Sequence, residues 1–379
     1  MEVVYAGVDQ LDVAFQGALP RRALAALEAA KEEAQEGQPA RCELGGVSGM
    51  VKHSGAKGGY AFIFETVDGA ETWKFKRNPD PQEWNIFAEV RSQALATDGY
   101  AVCRDRLIDR LESFGAKVIA ESVNRVDYAV DIVAPGFEPS PENIVCHPKS
   151  GVASHEEIER GGSGFYVKRA GRKVQTITVG KMPGRQVQIY DKRAEQIRPH
   201  MPGYWFEIWG FEREDCPQVW RVEIRAGKKH LQDWNVRTFA DVDAAMGDVF
   251  RRALADVRYV EHTDVSNISR APIHPLWELV FEQVAEGLAD HVAGITRGRV
   301  VATKRDAIER QYAAQIKGLA AGLSVVRAYS EREAFHRIAA DVASLVGEGV
   351  AEAAKFRRTR RRAEDRFIFL DVSAQERAA

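Results

Sequence analysis

Three stretches of this chain alternate apolar and polar residues with a period of two. That pattern dictates a sheet with one oily face and one ionic face. In Asn124–Ile132, Arg125, Asp127 and Asp131 share a face, and Val126, Tyr128, Val130 and Ile132 take the other. In Trp220–Gly227, Arg221, Glu223 and Arg225 oppose Val222 and Ile224. In Arg185–Glu195, Val187 and Ile189 oppose Gln188, Tyr190 and Lys192. Laid side by side in one sheet, the three fronts pool acids, cations and a tyrosine.

The remainder of the chain is consistent with an α+β fold. Val8–Phe15 is expected as a strand, with Val8 and its even-spaced partners set against Leu11, Val13 and Phe15. Pro20 suits the first turn of a helix running to about Gln35. The glycine-rich run Gly45–Gly59 lacks a GxxxxGK[ST] signature and is expected as a hairpin connection, with a phosphate-touching turn as the other reading. Tyr60–Thr66 and Thr72–Arg77 form a hairpin that turns at Asp68-Gly69. A strand begins at Trp84, and a helix spans Gly99–Gly115 with Leu107, Leu111 and Phe114 inward. Ser163–Glu195 holds three strand-like runs with glycine turns at Gly171 and Gly184, then a loop containing Pro199 and Pro202 leads to the Glu223 strand. A helix follows from about Phe239 to Val257. VDQLDVAF near the start resembles RVDYAVDI at 125–132, which fits two related halves sharing one sheet, or coincidence.

At 379 residues the chain suits two domains. After Pro272 strand alternation stops, and His274–Gly294, Thr303–Leu323 and Glu331–Phe356 are rich in helix formers. A boundary is expected within 262–275, giving a domain of residues 1–265 that carries the site and a helical region of 266–379. Near its end lie Lys355, Arg357, Arg358, Arg360, Arg361 and Arg362, either a phosphate-contacting knob or a solvated helix end favoured by its dipole.

Net charge is −2, so any nucleic-acid contact must come from local charge placement. Cys42, Cys103, Cys146 and Cys216 are widely spaced with no C-x-x-C pair, which suits neither a zinc site nor a disulfide framework. The first residues show no basic segment or long apolar run, so a cytoplasmic protein without a membrane span is expected.

The pooled residues are those of a metal-assisted phosphodiester site with a tyrosine nucleophile. A phenol of pKa about 10 is a weak nucleophile unless helped, and carboxylates with water suit Mg²⁺ or Mn²⁺. Asp127, Asp131 and Glu223 are the expected metal ligands, with Asp131 and Glu223 first. Tyr190 is the expected nucleophile, and Lys192 and Arg125 steady phosphate or phenolate. Alone, Tyr190 is more often a half-buried sheet residue than a nucleophile, and Asp127 with Arg125 or Glu223 with Arg221 or Arg225 make ordinary cross-strand ion pairs; the three stretches together point to the site. Lys168, Arg169, Arg172, Lys173, Lys181 and Arg185 precede the tyrosine strand, and Arg221, Arg225, Lys228 and Lys229 lie in or after the glutamate strand, as candidate backbone contacts.

The ordered blocks RVDYAVD (125–131), TITVG (176–180), IYDKRAE (189–195) and WRVEIR (220–225) resemble the replication initiation factor family of rolling-circle initiators. The resemblance covers roughly 120–260 firmly and 8–120 loosely. It implies an antiparallel sheet with helices packed on one face, and a nickase acting on double-stranded origin DNA. Tyrosine attack would leave a 5′-phosphotyrosine and a free 3′-hydroxyl on a single-stranded product. It places the tyrosine on Tyr190 and the carboxylates on Asp127, Asp131 and Glu223. It also implies a homodimer and a host helicase partner. No His-hydrophobic-His pair is present, so the metal would rest on carboxylates. A hydrolytic metal nuclease and a non-catalytic DNA-binding regulator are the alternatives.

Overall fold

A computed structural model describes residues 1–147, 164–198, 201, 203–261, 270–289 and 297–366. Ser163, Pro199, Pro202, residues 262–269 of the expected boundary and residues 290–294 of the expected helix lie outside the described residues, as do the side chains of Arg361 and Arg362. The chain divides into two compact units, 1–294 and 295–379.

The first unit is built on two strands of 17 residues. β1 (Glu2–Ala18) is followed by α1 (Arg21–Glu33), then β2 (Ala40–Leu44), β3 (Val47–Val51), β4 (Phe62–Thr66), β5 (Glu71–Phe75) and β6 (Trp84–Val90), then α2 (Ser92–Asp98) and α3 (Tyr100–Ser113). β7 (Lys117–Val133) starts a second round that includes β8 (Ile144–Cys146), β9 (Phe165–Ala170), β10 (Lys173–Gly180) and β11 (Arg185–Asp191). Two short helices, α4 (Lys192–Gln196) and α5 (Tyr204–Trp209), lead to β12 (Val219–Gly227). The unit closes with α6 (Lys228–Asp233), α7 (Phe239–Asp256), β13 (Val257–Tyr259) and α8 (Pro275–Gly287).

Eleven strands form one sheet in the order β2-β3-β4-β5-β6-β1-β7-β12-β11-β10-β9, and every neighbouring pair is antiparallel. β1 and β7 lie together at its centre, and the last sheet strand of each round docks beside the long strand that opened it. This is the two-halves arrangement that the likeness of VDQLDVAF to RVDYAVDI fits. The Asp68-Gly69 hairpin falls as expected between β4 and β5, with Gly69 supplying φ 70°.

The oily face carries Leu11, Val13, Phe15, Trp73, Phe75, Val126, Val130, Val222, Ile224, Val187 and Ile189, all buried. α7 covers part of it because Val242, Met246, Val249, Phe250 and Ala253 repeat at helical spacing. Its start is fixed by a capping box between Thr238 and Asp241. Phe250 packs on Tyr128 with ring centroids 5.7 Å apart.

Two expectations are corrected here. Val8 pairs with Tyr128 and joins Leu11 on the oily face, because the register shifts between Val8 and Gln10 and inserts Asp9 as an extra residue. Such a bulge reverses the alternation on one side of itself. The domain boundary near 265 also moves, since α8 packs on β1, β7 and α7 and the first unit runs to Gly294.

The second unit contains α9 (Arg297–Val326), α10 (Glu331–Ala351) and α11 (Ala353–Arg366). A capping box between Ser330 and Glu333 starts α10, and Tyr329 donates to Asp341 at 2.7 Å. Lys355, Arg357, Arg358 and Arg360 are exposed on α11, an arrangement compatible with both readings of the basic stretch. The four cysteines are free and buried, and no described helix is long and apolar enough to cross a membrane.

Phe250 is 1% exposed beneath the centre of the sheet. Phe250→Ala is expected to lower stability by about 3–5 kcal/mol, measured by urea unfolding, through lost burial plus a cavity.

Candidate active site

Strand register brings Lys168, Thr176, Tyr190, Arg221, Asp131 and Tyr5 into a single row across the ionic face, from β9 to β1. The next row holds Gln188, Glu223 and Ala129, and the one after it Gln186, Arg225, Asp127 and Gln10. The three stretches therefore meet as their alternation predicts.

Two ionic groups divide this surface. The first is buried. Arg221 is 0% exposed and donates through Nε and Nη2 to the two oxygens of Asp131, at 2.6 and 2.7 Å. Its Nη1 donates to Asp9 Oδ1 at 2.7 Å. Trp209 Nε1 donates to Asp131 Oδ2 at 2.8 Å, and the guanidinium lies 4.0 Å from the Trp205 ring centroid. Both tryptophans come from α5, which with Cys216 and Val219 forms a small core roofing this end of the ionic face. Burial raises the Asp9 carboxyl above its usual range although Arg221 opposes it.

The second group lies beside the nucleophile candidate. Tyr190 Oη donates to Glu223 Oε2 at 2.9 Å. Arg225 Nε donates to Glu223 Oε1 at 2.7 Å and stands 3.9 Å from Asp127 Oδ2. Arg125 grips Asp127 through both carboxylate oxygens, with Nε at 3.0 and 2.9 Å. Burial alone would raise the Glu223 carboxyl, but Arg225, joined by Arg221 and the Tyr190 hydrogen bond, brings Glu223 down to about 2. Asp127 goes the other way: burial pushes it up to about 8, Glu223 adds to the rise, and Arg125 opposes it. Burial, then the charge on Glu223, pushes the Tyr190 phenol well above its ordinary range. The phenol is thus held protonated as a donor to an ionised carboxylate.

Lys192 does not continue the tyrosine strand, because Asp191 accepts from the Ala194 amide at 2.8 Å and caps α4. The lysine still reaches the site. Its ammonium lies 5.5 Å from the Tyr190 ring and 5.4 Å from the Trp205 ring, and pairs with Glu195 at 2.5 Å. A cleft of about 180 Å³ opens beside Tyr190, lined in part by Lys168, Thr176, Gln188, Arg198 and Arg225. Asp191 and Glu195 line the same cleft; the three cations against these two acids suit an anionic group such as a phosphate.

The expected DNA contacts separate. Lys168 and Arg225 line the cleft. Arg169, Arg172 and Lys173 lie around the β9–β10 turn away from it, with Lys173 3.7 Å from Glu138. Arg185 is corrected: it is buried on the oily face with Nη1 3.0 Å from Asp256. Arg221 is corrected for the same reason, since its charge is consumed inside the protein.

The three expected metal ligands also separate. Both oxygens of Asp131 are taken by Arg221 and Trp209, so it does not fit a metal centre. Among the described residues no three His, Cys, Asp or Glu side chains stand close enough together to hold a metal. Asp127 and Glu223 flank the Arg225 guanidinium, which occupies the place of a cation between them. As they stand, Asp127, gripped through both oxygens by Arg125, and Glu223, bonded by Arg225 and Tyr190, are engaged as Asp131 is and do not fit a metal centre.

Asp9, Trp205, Trp209 and Arg198 join the site without being among the residues that the alternation picks out. Asp9 carried a signal, the VD repeated at Val126-Asp127. The other three sit on or beside short helices whose place over the sheet has no local signature.

The sequence matches no family model and no curated protein. Among solved structures, a rolling circle replication initiator protein from Geobacillus stearothermophilus aligns with 74% of this chain and 96% of its own, at 14% identity and a TM-score of 0.40. A TBP from Methanococcus jannaschii aligns with 74% and 98%, at 11% identity and a TM-score of 0.24. Likenesses of this size assign neither family nor activity.

Two outcomes follow from the charge arrangement. Arg221→Ala leaves two buried carboxylates without their cation and is expected to cost about 3–5 kcal/mol in urea unfolding, whereas exposed Lys168→Ala stays within about 0.5 kcal/mol. In ultraviolet titration, the wild-type minus Tyr190→Phe difference should show no tyrosinate signal near pH 10, where an ordinary tyrosine ionises. The sign follows from the raised phenol, whose protonated form outlasts that pH.

Proposed function

We propose that this chain nicks and rejoins DNA at a specific origin through a covalent tyrosine intermediate, as a rolling-circle replication initiator does. The observation that carries the reading is the Tyr190 hydroxyl, hydrogen-bonded to Glu223 at a cleft lined by Lys168, Arg198 and Arg225. The ordered blocks at 125–131, 176–180, 189–195 and 220–225 add the choice of DNA as substrate.

In this reading a backbone phosphate enters the cleft and competes with Glu223 for Arg225. As the guanidinium turns to the phosphate, Glu223 loses the partner that holds its carboxyl near 2, and becomes a better proton acceptor. Tyr190 Oη attacks phosphorus and its proton passes to Glu223 Oε2. The bond from phosphorus to the 3′ oxygen breaks, and that oxygen leaves as a 3′-hydroxyl after taking a proton from solvent. Lys192, over the tyrosine ring, steadies the charge that develops on the phenolate. Rejoining runs the same transfer in reverse. Asp127 and Glu223 would hold Mg²⁺ or Mn²⁺ only with Arg125 and Arg225 turned away to the phosphate, and the ion would supply Lewis-acid polarisation there. A second copy of the chain, bringing a second tyrosine for strand closure, a host helicase and a cytoplasmic setting belong to the same proposal.

A supercoiled plasmid carrying the cognate origin tests it. Wild type with Mg²⁺ or Mn²⁺ is expected to produce nicked circles, with DNA retained on protein after SDS denaturation. Tyr190→Phe should abolish both, EDTA should stop nicking, and Glu223→Gln should slow it by about 10²–10⁴-fold. Nicking by Tyr190→Phe without an adduct would point to water as nucleophile. Origin binding without cleavage would point to a regulator.

A further inference from the structure

The two halves of the sheet can be superposed through their hydrogen-bond register. Gln10 of β1 pairs with Asp127 of β7 near the centre. Four residues further on, β7 reaches Asp131, whose row continues through Arg221 to Tyr190. Four residues further on, β1 reaches Ala14, whose row continues through Phe87 to Lys74. One row nearer the centre, Ala129–Glu223–Gln188 corresponds to Asp12–Glu89–Thr72. FAEVR (87–91) thus occupies in one half the place of RVEIR (221–225) in the other, with Glu89 for Glu223 and Arg91 for Arg225.

The correspondence extends to contacts. Lys74, in the place of Tyr190, pairs with Glu89 as Tyr190 bonds Glu223. Lys76, two residues on, corresponds to Lys192, and its ammonium lies 5.3 Å from the Tyr60 ring. Lys74 lies 5.1 Å from the Phe87 ring, and the Phe87 and Tyr60 centroids are 6.0 Å apart. Trp84, in the next row beside Gln16, is 37% exposed. The buried Arg221 position is therefore replaced by a half-buried ring, and the tyrosine by an ammonium.

We infer that the first half of the ionic face is a second strand-binding site, without a nucleophile, that takes single-stranded DNA. Trp84 offers an exposed ring, while Phe87 and Tyr60 are half-buried with the ammonium groups of Lys74 and Lys76 over them. A strand stacks its bases there as its phosphates draw those lysines aside, Lys74 from its pair with Glu89 as well. Stacking platforms with interleaved cations bind single strands with little regard to sequence. Between the platform and the tyrosine site lie the rows Asp12–Arg125 and Gln10–Asp127–Arg225 of the central strands. The inference rests on the nicking proposal only for the choice of DNA, and its test does not require cleavage.

Fluorescence anisotropy of a labelled oligothymidylate with the full-length chain decides it. Wild type is expected to bind the oligothymidylate. Phe87→Leu is expected to bind roughly tenfold more weakly, in line with loss of one stacked base. Lys76→Gln should weaken binding and reduce the salt slope by about 1. Because Lys76 is not part of the core, its variant keeps the test valid if Phe87→Leu folds poorly. Absent oligothymidylate binding by wild type, or unaltered binding by Lys76→Gln together with a folded Phe87→Leu, would overturn the inference. Adduct formation at Tyr190 would stand in either case, so failure here and failure of the nicking proposal are distinguishable.

Discussion

The arrangement of the ionic face depends on one fully buried cation. Arg221 joins β12 to Asp131 on β7 and to Asp9 on β1, and so ties together three adjacent strands from both halves of the sheet. Breaking such a group leaves charges with no solvent to receive them. Trp205 and Trp209 seal it from above, so α5 is held over the sheet by an aromatic face on a guanidinium and an indole N–H on a carboxylate. Tyr190 is the cross-strand neighbour of this arginine, and its position is inherited from the cluster.

Beside this buried group lies a looser one, and the contrast between them gives the site its chemistry. Arg221 has no freedom to leave Asp131 and Asp9. Arg225 is partly exposed, lines the cleft, and divides its charge between Glu223 and Asp127. An anion entering from solvent can draw on Arg225 without dismantling the core. The carboxylate that gives up this partner is the one already bonded to the tyrosine hydroxyl. Resting stability and the capacity to accept a proton thus come from different arginines two residues apart on one strand.

Much of this was legible in the sequence because period-two alternation is a local signal. It fixed which side chains of 125–131, 186–190 and 221–225 would share a face, and the cross-strand register did the rest. What stayed hidden depends on tertiary placement. Arg185 and Arg221 look alike as surface cations in the sequence, yet one lies on the oily face against Asp256 and the other under α5. The bulge at Asp9 was hidden for another reason, since a single inserted residue leaves no mark until the partner strand is known. The same shift obscured the match of EVR at 89–91 to EIR at 223–225, which only the register makes plain. Asp131 illustrates the limit of reading acids as ligands: its two oxygens were committed to an arginine and a tryptophan.

The most direct measurement of the central claim is mass spectrometry of the protein after reaction with an origin oligonucleotide, followed by nuclease and trypsin digestion. The account predicts a nucleotide remnant on the peptide Gln186–Lys192, attached at Tyr190. A remnant on any other tyrosine, or cleaved DNA with no modified peptide, would contradict it.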